Sequence, residues 1–292
     1  MSSTNPDLKT QCKINFNDIL IACKERLKKS KSKTSIEEIK SQLKDSPDTA
    51  DFKKAIQKSK SFPLIVEFKP ASPSQGHISS RSLRDTINSF EAGGAIAISI
   101  ITEESFFKGK LDYLKQASKI STLPLLRKDF ILEDYQIYEA RLYGASSVLL
   151  ISEVYPDISS GIEICRSLDM EPLIECKNSI DVFKALDADA EIIGINNRNF
   201  KDFSIEFSRT KALSPLIPKE KILVAESGVN TLQDVQKLCK YGADALLIGT
   251  SIMKSSNIPK TISKMLLTAE ETSKMISKNS NLESLRGLSN GV

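Results

Sequence analysis

The chain has 292 residues, of which 40% are hydrophobic and 27% are charged. This composition is ordinary for a globular protein, and no apolar run is long enough to span a membrane. The formal net charge of +4 is mild, and no aromatic residues interleave the lysines of segment 28–33. A solvated linker is therefore favoured there over a nucleic-acid tether. The length suits one α/β barrel as a single large domain.

The cysteines and the N-terminus point to a reducing compartment. The five cysteines are odd in number and none shows Cys-x-x-Cys spacing, which argues against a disulfide framework or a zinc site. Residues 1–6 lack the basic start and the apolar core of a secretory signal. We therefore predict a cytoplasmic protein that has no metal site and no membrane segment.

Helical patterns precede the first strand candidate. Residues 1–13 are predicted to be disordered. From Asn15 onward, apolar residues recur at helical spacing and form one stripe, made of Phe16, Ile19, Leu20, Cys23 and Leu27. A second helix is predicted from Ser35, where Ser35 and Glu38 can form a capping box. A third is predicted over about 49–58, and these helices together make an N-terminal extension.

After this extension, apolar strand candidates alternate with helical stretches. The strand candidates cover 64–69, 95–101, 123–128, 146–151, 171–176, 191–196, 221–226 and 244–249. The helical stretches cover about 80–92, 110–120, 133–142, 157–168, 178–186, 204–213 and 230–241, with a last helix from near Pro259. Apolar strands separated by helices indicate parallel pairing, and eight such units favour a closed barrel over an open sheet. We predict an α/β fold, a (β/α)8 TIM barrel over residues 61–275, with a helical extension over 1–60 and a C-terminal tail over 276–292.

Two of the helix-to-strand junctions are similar in sequence. Segment 143–150 reads YGASSVLL, and segment 241–248 reads YGADALLI. In both, the glycine is expected to end the helix in a left-handed turn. The two segments belong to predicted units four and eight, as expected if two similar half-barrels were joined. Coincidence also explains so short a match.

Polar side chains stand at the predicted C-terminal ends of five strands. They are Glu67 and Lys69 after the first strand, Lys128 after the third, Glu175 after the fifth, Asn196 and Arg198 after the sixth, and Glu226 after the seventh. In barrels of this type the interior is apolar and the active site lies at these ends. Burying acids and bases costs desolvation energy unless they form pairs or bind a ligand. The pattern predicts an active site at the opening of the barrel, called the barrel mouth below. Taken alone, Glu67 and Lys69 are also explained by a structural ion pair.

Strands seven and eight carry a separate signal. The segments Glu226-Ser227-Gly228 and Gly249-Thr250 each place a small residue where the strand turns toward its helix. Exposed backbone N–H groups at such a turn suit a phosphate dianion, and barrels often bind phosphate at this corner. A tight turn explains one such glycine without any ligand.

These residues, in this order, resemble the indole-3-glycerol-phosphate synthase family. The resemblance runs from the helix near Phe16 to the last barrel helix. Its most specific segments are 67–73 with Gly76, 102–103 with Phe107, 126–130, 172–175, 195–198, 225–228 and 249–250. The resemblance implies ring closure of 1-(2-carboxyphenylamino)-1-deoxyribulose 5-phosphate to indole-3-glycerol phosphate, with loss of carbon dioxide and water, in L-tryptophan biosynthesis. It implies a carboxy-lyase that needs no cofactor.

The resemblance also implies roles for residues in the reaction. Lys128 would be the general acid that protonates the substrate ketone oxygen, and Glu175 the base for the loss of water. Lys69 is a candidate acid for that second step, and the division of acid duty between the two lysines stays open. The catalytic set implied is Lys128, Glu175, Lys69, Glu67, Asn196, Glu226 and Ser227.

The same resemblance implies a binding role for further residues. Arg198 and Lys69 would hold the substrate carboxylate, and Ser72, Gly228, Gly249 and Thr250 the phosphate. Phe107 and Phe130 would line the aromatic ring of the substrate, although plain core packing explains them almost as well. We expect the partner to be this small substrate, with no nucleic acid, no membrane and no second subunit.

Two residues that invite a functional interpretation are expected to lie outside the site. His77, the only histidine, follows Gly76 in a loop, and Cys176 should point to the face of its strand opposite to Glu175. Two other functions are compatible with a barrel of this kind. One is another phosphate-binding barrel enzyme, similar to phosphoribosylanthranilate isomerase, and the other is a non-catalytic barrel that binds a sugar phosphate.

Overall fold

The structure of the chain is a computed structural model, which describes residues 15–199 and 202–289. Its helices are α1 (Phe16–Lys33), α2 (Ile36–Gln42), α3 (Phe52–Gln57), α4 (Leu83–Gly93), α5 (Leu111–Ser118), α6 (Asp134–Leu142), α7 (Ile158–Ser167), α8 (Ser179–Asp187), α9 (Ser208–Leu213), α10 (Leu232–Lys240), α11 (Thr250–Lys254) and α12 (Ile258–Ser289). Its barrel strands are β1 (Leu64–Phe68), β2 (Ala97–Ile101), β3 (Leu125–Lys128), β4 (Ser147–Ile151), β5 (Leu173–Cys176), β6 (Ile192–Asn196), β7 (Ile222–Glu226) and β8 (Ala245–Ile248). The predicted disorder of residues 1–13 lies outside the described residues.

The eight strands form a closed parallel barrel in chain order. β1 closes it by pairing with both β2 and β8, and each strand is followed by at least one helix. The barrel therefore confirms the predicted (β/α)8 fold. Every predicted strand is present, with ends that differ from the prediction by one or two residues where they differ at all.

Alternation along the strands separates two apolar cores. In β1, Val66 and Phe68 join the outer core between the sheet and the helices. Ile65 instead joins the core inside the barrel. Because successive strand side chains point to opposite faces, Glu67 lies on the same side as Ile65. This alternation carries the polar strand-end residues into the barrel mouth.

The N-terminal helices are part of the barrel core. Ile19 and Cys23 of α1, together with Phe52 and Ile56 of α3, belong to the same apolar cluster as the barrel interior. Asn15 and Asp18 form a capping box at the start of α1. The predicted capping box of Ser35 and Glu38 also forms, at the start of α2.

Some helix boundaries differ from the prediction for local reasons. α4 begins at Leu83, because the Ser82 side chain accepts a hydrogen bond from the backbone N–H of Asp85 and caps the helix there. α9 begins only at Ser208, since an antiparallel bridge between Arg198 and Ile205 keeps the preceding chain extended.

The last helix continues well past residue 275. α12 has 32 residues and crosses the predicted boundary between barrel and tail without a break. Its buried side chains include Ile258 and Ile262 at the start and Thr272 further along. None of the described helices is both long and apolar enough to cross a membrane.

The two similar helix-to-strand junctions also share a backbone conformation. Gly144 has φ 89° and Gly242 has φ 93°, which is the left-handed region that favours glycine. Each glycine follows the end of its helix, α6 or α10. The expected left-handed turn is therefore present in both units.

Candidate active site

A cavity of about 490 Å³ opens at the carboxyl ends of the barrel strands. Its wall contains all the residues that the sequence assigned to catalysis or binding: Glu67, Lys69, Ser72, Phe107, Lys128, Phe130, Glu175, Asn196, Arg198, Glu226, Ser227, Gly228, Gly249 and Thr250. They converge because all eight strands run in the same direction, so that their ends surround one opening.

The Glu67–Lys69 pair forms one side of this cavity. Lys69 Nζ donates to Glu67 Oε1 over 2.6 Å. The Glu67 side chain is only 3% exposed, and that of Lys69 is 15% exposed. This ion pair is therefore neither closed off in the core nor exposed on the outer surface. Both partners line the cavity that a ligand would fill.

Lys128 lies between two carboxylates. Its Nζ is 3.1 Å from Glu226 Oε2 and 3.4 Å from Glu175 Oε2. Burial by itself lowers the pKa of Lys128, but the negative charges around it prevail and raise the pKa well above the usual lysine value; in order of effect they are Glu226, Glu175 and Glu67. The ammonium group therefore stays protonated at neutral pH, as a general acid requires.

Glu226 is the most deeply buried of these acids, with 1% of its side chain exposed. Among the described residues, none donates a hydrogen bond of good geometry to either carboxylate oxygen, so the contact with Lys128 acts as an ion pair. Burial raises the pKa of Glu226 to about 7; Lys128 opposes this shift, whereas Glu175 adds to it. This carboxyl group therefore titrates close to neutral pH.

Beside Lys128, a buried charge network joins the N-terminal extension to the barrel. Arg26 of α1 donates to both oxygens of Asp129 over 2.7 Å. Thr102 Oγ1 donates to Asp129 Oδ2 over 2.5 Å, and Arg127 Nη2 lies 3.3 Å from the same oxygen. Arg127 also pairs with Glu139 at 2.8 Å. The sequence prediction did not include this network, although the adjacent charges of Arg127, Lys128 and Asp129 in an apolar strand were a visible signal.

Arg198 stands at the end of β6 and has no carboxylate partner among the described residues. Arg198 Nη1 donates to Ser74 Oγ over 3.3 Å and to the Phe203 carbonyl over 3.0 Å. Both acceptors are neutral, and among the described ion pairs none includes Arg198. Burial lowers the pKa of Arg198, and the charge of Glu67 offsets this shift only in part. The guanidinium group can therefore take an anionic ligand group without breaking an ion pair.

Arg209 of α9 supports the same end of β6. Its Nη1 donates to the Asn196 carbonyl over 2.5 Å and to the Arg198 carbonyl over 3.1 Å. Asn196 in turn accepts from the Arg198 backbone N–H at 3.0 Å. Sequence reasoning missed Arg209, because nothing in the local pattern of α9 shows which strand its side chain will reach.

The corner between β7 and β8 has the small residues and bare backbone expected of an anion site. Ser227 has φ 67° and Gly228 has φ 91°, so two consecutive residues adopt the left-handed conformation. For a serine this conformation is strained, and such strain is common at functional sites. Gly249 and Thr250 follow β8 on the opposite side of the corner.

The loop after β1 reaches over this corner. Ser72 is buried, and its hydroxyl has no hydrogen-bond partner among the described residues. Next to it, Gln75 Oε1 accepts from Lys254 Nζ over 2.6 Å, and both residues line the cavity. The unpaired Ser72 hydroxyl and the Lys254 ammonium add donors to the same corner. Lys254 was not identified from the sequence, because it lies beyond the matched turn.

Two phenylalanines form an apolar wall. The ring centroids of Phe107 and Phe130 are 6.4 Å apart, and Phe16 of α1 packs edge-on against Phe130 at 5.8 Å. The loop that carries Phe107 is held by Glu103, whose carboxylate accepts backbone N–H bonds at 2.9, 2.8 and 2.9 Å. Both rings face the cavity and also pack in the core.

His77 and Cys176 lie outside the cavity wall. His77 is exposed, and its Nε2 is 2.9 Å from Ser80 Oγ. Cys176 is fully buried in the outer core, where burial raises the pKa of its thiol. Neither residue is placed to act on a ligand in this cavity.

Solved structures with the same fold have distant sequences. The thiamine phosphate pyrophosphorylase from Pyrococcus furiosus superposes with a TM-score of 0.57 at 15% identity, over 72% of this chain and 96% of that chain. The 3-hexulose-6-phosphate synthase from Salmonella typhimurium superposes with a TM-score of 0.55 at 12% identity, over 72% of this chain and 99% of that chain. At such identity the likeness shows the fold alone.

Sequence comparison is far more specific. The family model for indole-3-glycerol phosphate synthase matches residues 16–265. A protein of that name from Methanothermobacter marburgensis is 43% identical over 259 residues, which cover 89% of this chain and 93% of the relative. Another from Endomicrobium trichonymphae is 39% identical over 255 residues, covering 86% and 98%. The chain therefore belongs to the indole-3-glycerol phosphate synthase family.

Proposed function

We propose that this chain converts 1-(2-carboxyphenylamino)-1-deoxyribulose 5-phosphate to indole-3-glycerol phosphate in L-tryptophan biosynthesis. The observation that carries the proposal is the position of Lys128 between Glu175 and Glu226 in the wall of a cavity that also contains Arg198 and the residues of the phosphate corner. Family membership supports the same reaction. No step of it requires a cofactor, since the substrate itself provides the electron sink.

Carbon–carbon bond formation is the first step. The aryl carbon that bears the carboxylate attacks the ketone carbon, and the ketone oxygen takes a proton from Lys128 to become a hydroxyl. A fixed ammonium group both polarises and protonates this oxygen. The raised pKa of Lys128 supports this role, because the lysine carries its proton before the substrate arrives.

Decarboxylation and dehydration follow. Ring closure leaves an iminium group that accepts the electron pair of the breaking carbon–carboxylate bond as carbon dioxide departs. Loss of water then removes the new hydroxyl, with a proton supplied by Lys69, or by Lys128 after it has regained a proton from solvent, while Glu175 accepts the proton that the ring gives up. Glu67 holds Lys69 at 2.6 Å and orients it for this step.

The cavity separates the two charged ends of the substrate. Arg198 and Lys69 take the carboxylate with the help of Asn196. The phosphate lies at the corner between β7 and β8, bound by Ser72, Gly228, Gly249 and Thr250. Phe107 and Phe130 enclose the aromatic ring, and Glu226 and Ser227 contact the sugar hydroxyls and reacting groups. The neutral partners of Arg198 support this assignment, because Arg198 gives up no ion pair with a described residue when it binds the carboxylate.

The test of the proposed function is direct. The purified chain, incubated with the carboxyphenylamino-deoxyribulose phosphate, should develop indole-type fluorescence and release carbon dioxide in equal amount. Phosphoribosylanthranilate should remain unchanged in a parallel reaction. Binding of the first substrate without turnover would favour a non-catalytic barrel, and turnover of phosphoribosylanthranilate would favour the isomerase alternative.

We further propose that the protein acts as a cytoplasmic monomer. Four cysteines in the described residues, Cys23, Cys165, Cys176 and Cys239, are free and buried, which suits a reducing compartment. One chain forms a closed barrel by itself, which supports a monomer. Light scattering should give a mass near 32.3 kDa, and twice that mass would refute the monomer.

A further inference from the structure

Gly194 in β6 lies where a Cβ atom would enter the space that the Glu226 carboxylate occupies. The two strands pair in register, with Gly194 opposite Val224 and Asn196 opposite Glu226. A Cβ atom on Gly194 would overlap Glu226 Oε1 and would lie 3.4 Å from its Cδ. The next nearest atom, Leu173 Cδ1, would be 3.2 Å away. The carboxylate thus rests against the Cα of Gly194.

The backbone does not explain this glycine. Gly194 is not among the residues with positive φ, so an alanine could adopt the same conformation. Its neighbours Ile193 and Ile195 point to the outer core, which directs position 194 into the barrel interior. Space for the carboxylate is what remains as the reason for a glycine.

A second acid of the cavity is seated in the same way. A Cβ atom on Gly249 would lie 2.5 Å from Glu67 Oε1 and 3.0 Å from Glu67 Cβ. Gly249 follows β8, which pairs with β1. Each carboxylate therefore lies against a glycine that is in the adjacent strand or directly follows it. Because Gly249 also belongs to the phosphate corner, Gly194 is the residue that isolates this effect.

We propose that Gly194 is a positioning residue whose missing side chain forms the seat of the Glu226 carboxylate and so sets its distance from Lys128. The inference deepens the proposed function, on which its catalytic part rests. With the seat filled, the carboxylate must rotate away from Gly194, and the 3.1 Å contact between Oε2 and the Lys128 ammonium must change with it.

The first test needs no activity. Gly194→Ala is made in the natural chain and in a Glu226→Ala chain, and the urea midpoint of unfolding is measured for all four proteins. The midpoint should fall clearly in the natural chain and hardly at all in the Glu226→Ala chain, because the group that clashes is then absent. Equal shifts in both backgrounds, or failure of both variants to fold, would overturn the proposal and assign the obstruction to Leu173.

The second test separates positioning from general stability. Gly194→Ala should lower kcat on the order of 10- to 100-fold, as small misplacements in active sites do, while KM changes little. In a Glu226→Asp background the side chain is one methylene shorter, so the same substitution should lower kcat much less. An unchanged kcat in Gly194→Ala would contradict the proposal.

Gly161→Ala is a matched control. A Cβ atom on Gly161 would meet Tyr155 Cε1 at 2.6 Å and Leu150 Cδ1 at 2.9 Å, so it crowds apolar side chains outside the barrel. This variant should lose stability and keep its kcat. If the natural chain proves to lack synthase activity, the proposed function fails. The comparison of the four urea midpoints still decides whether Gly194 makes room for the Glu226 carboxylate.

Discussion

Replacing Lys128 with alanine is expected to lower kcat for indole-3-glycerol phosphate formation by roughly 10²- to 10⁴-fold, the usual contribution of one general acid. The ammonium group is held near two carboxylates, at 3.1 and 3.4 Å, and alanine has nothing that could protonate the ketone oxygen. The rate is followed by indole fluorescence under substrate saturation. Turnover similar to that of the natural chain would refute the proposed mechanism.

The same variant should keep its fold. Removing the ammonium leaves Glu175 and Glu226 without their cation, which for permanently charged groups would be costly. However, the pKa of Glu226 is already about 7, so this carboxyl group can take up a proton instead of driving unfolding. Circular dichroism and protection by inorganic phosphate against heat should show an intact barrel with a working phosphate corner.

A control for charge alone is available on α5. Lys115 is exposed and packs over the ring of Tyr143, with Nζ 5.6 Å from the ring centroid, away from the wall of the active-site cavity. Lys115→Ala removes the same positive charge, and its kcat should equal that of the natural chain. A comparable loss in both variants would mean that the net charge, and not the acid, limits the reaction.

Replacing Asp129 with asparagine is expected to lower the free energy of unfolding by about 3–5 kcal/mol, the usual cost of breaking a buried ion pair. The Asp129 side chain is fully buried, and it bridges Arg26 of the extension with Arg127 of β3. Asparagine keeps the shape but leaves the Arg26 guanidinium without its anion, whereas Arg127 keeps Glu139 as its one carboxylate partner among the described residues. Urea unfolding at neutral pH measures the difference.

The exposed Lys31–Glu133 pair provides a matched comparison. It also joins α1 to the chain after β3, at 2.6 Å, but its side chains are 47% and 50% exposed. Lys31→Ala should therefore cost about 0–1 kcal/mol, whereas Arg26→Ala should cost several times more. Equal losses would show that the buried network contributes no more than a surface contact.

The effect of Asp129 should depend on pH with a definite sign. Burial raises its pKa, but the charges of Arg26 and Arg127 and the Thr102 hydrogen bond prevail, so the pKa lies below its ordinary value of 3.8. A carboxyl group whose folded-state pKa is depressed stabilises the fold above its unfolded pKa and loses that contribution as pH falls. The difference between the natural chain and Asp129→Asn should thus be full at neutral pH and shrink below pH 3.8.

Local pattern was enough to predict the barrel and the side chains at its mouth. Runs of apolar residues such as those of β1 are long enough only for strands, and the helices between them require parallel pairing. Once the strands are parallel, their carboxyl ends share one opening. Glu67 and Glu226 had to face that opening because of the two-residue period of a strand. These inferences depend on neighbours in sequence, which is why they needed no coordinates.

The partners of those side chains were decided by the tertiary structure. Arg26 and Asp129 are 103 residues apart in the chain, and nothing in either segment identifies the other. The fit of Glu226 against Gly194 depends on the register between β6 and β7. The length of α12 likewise had no clear local boundary. The sequence by itself determined which residues reach the barrel mouth, because strand periodicity and parallel pairing are local rules. Only packing between distant segments decided how Lys128, Glu226 and Asp129 are held. The burial of each group and its distance from neighbouring charges set its pKa, and both depend on that packing.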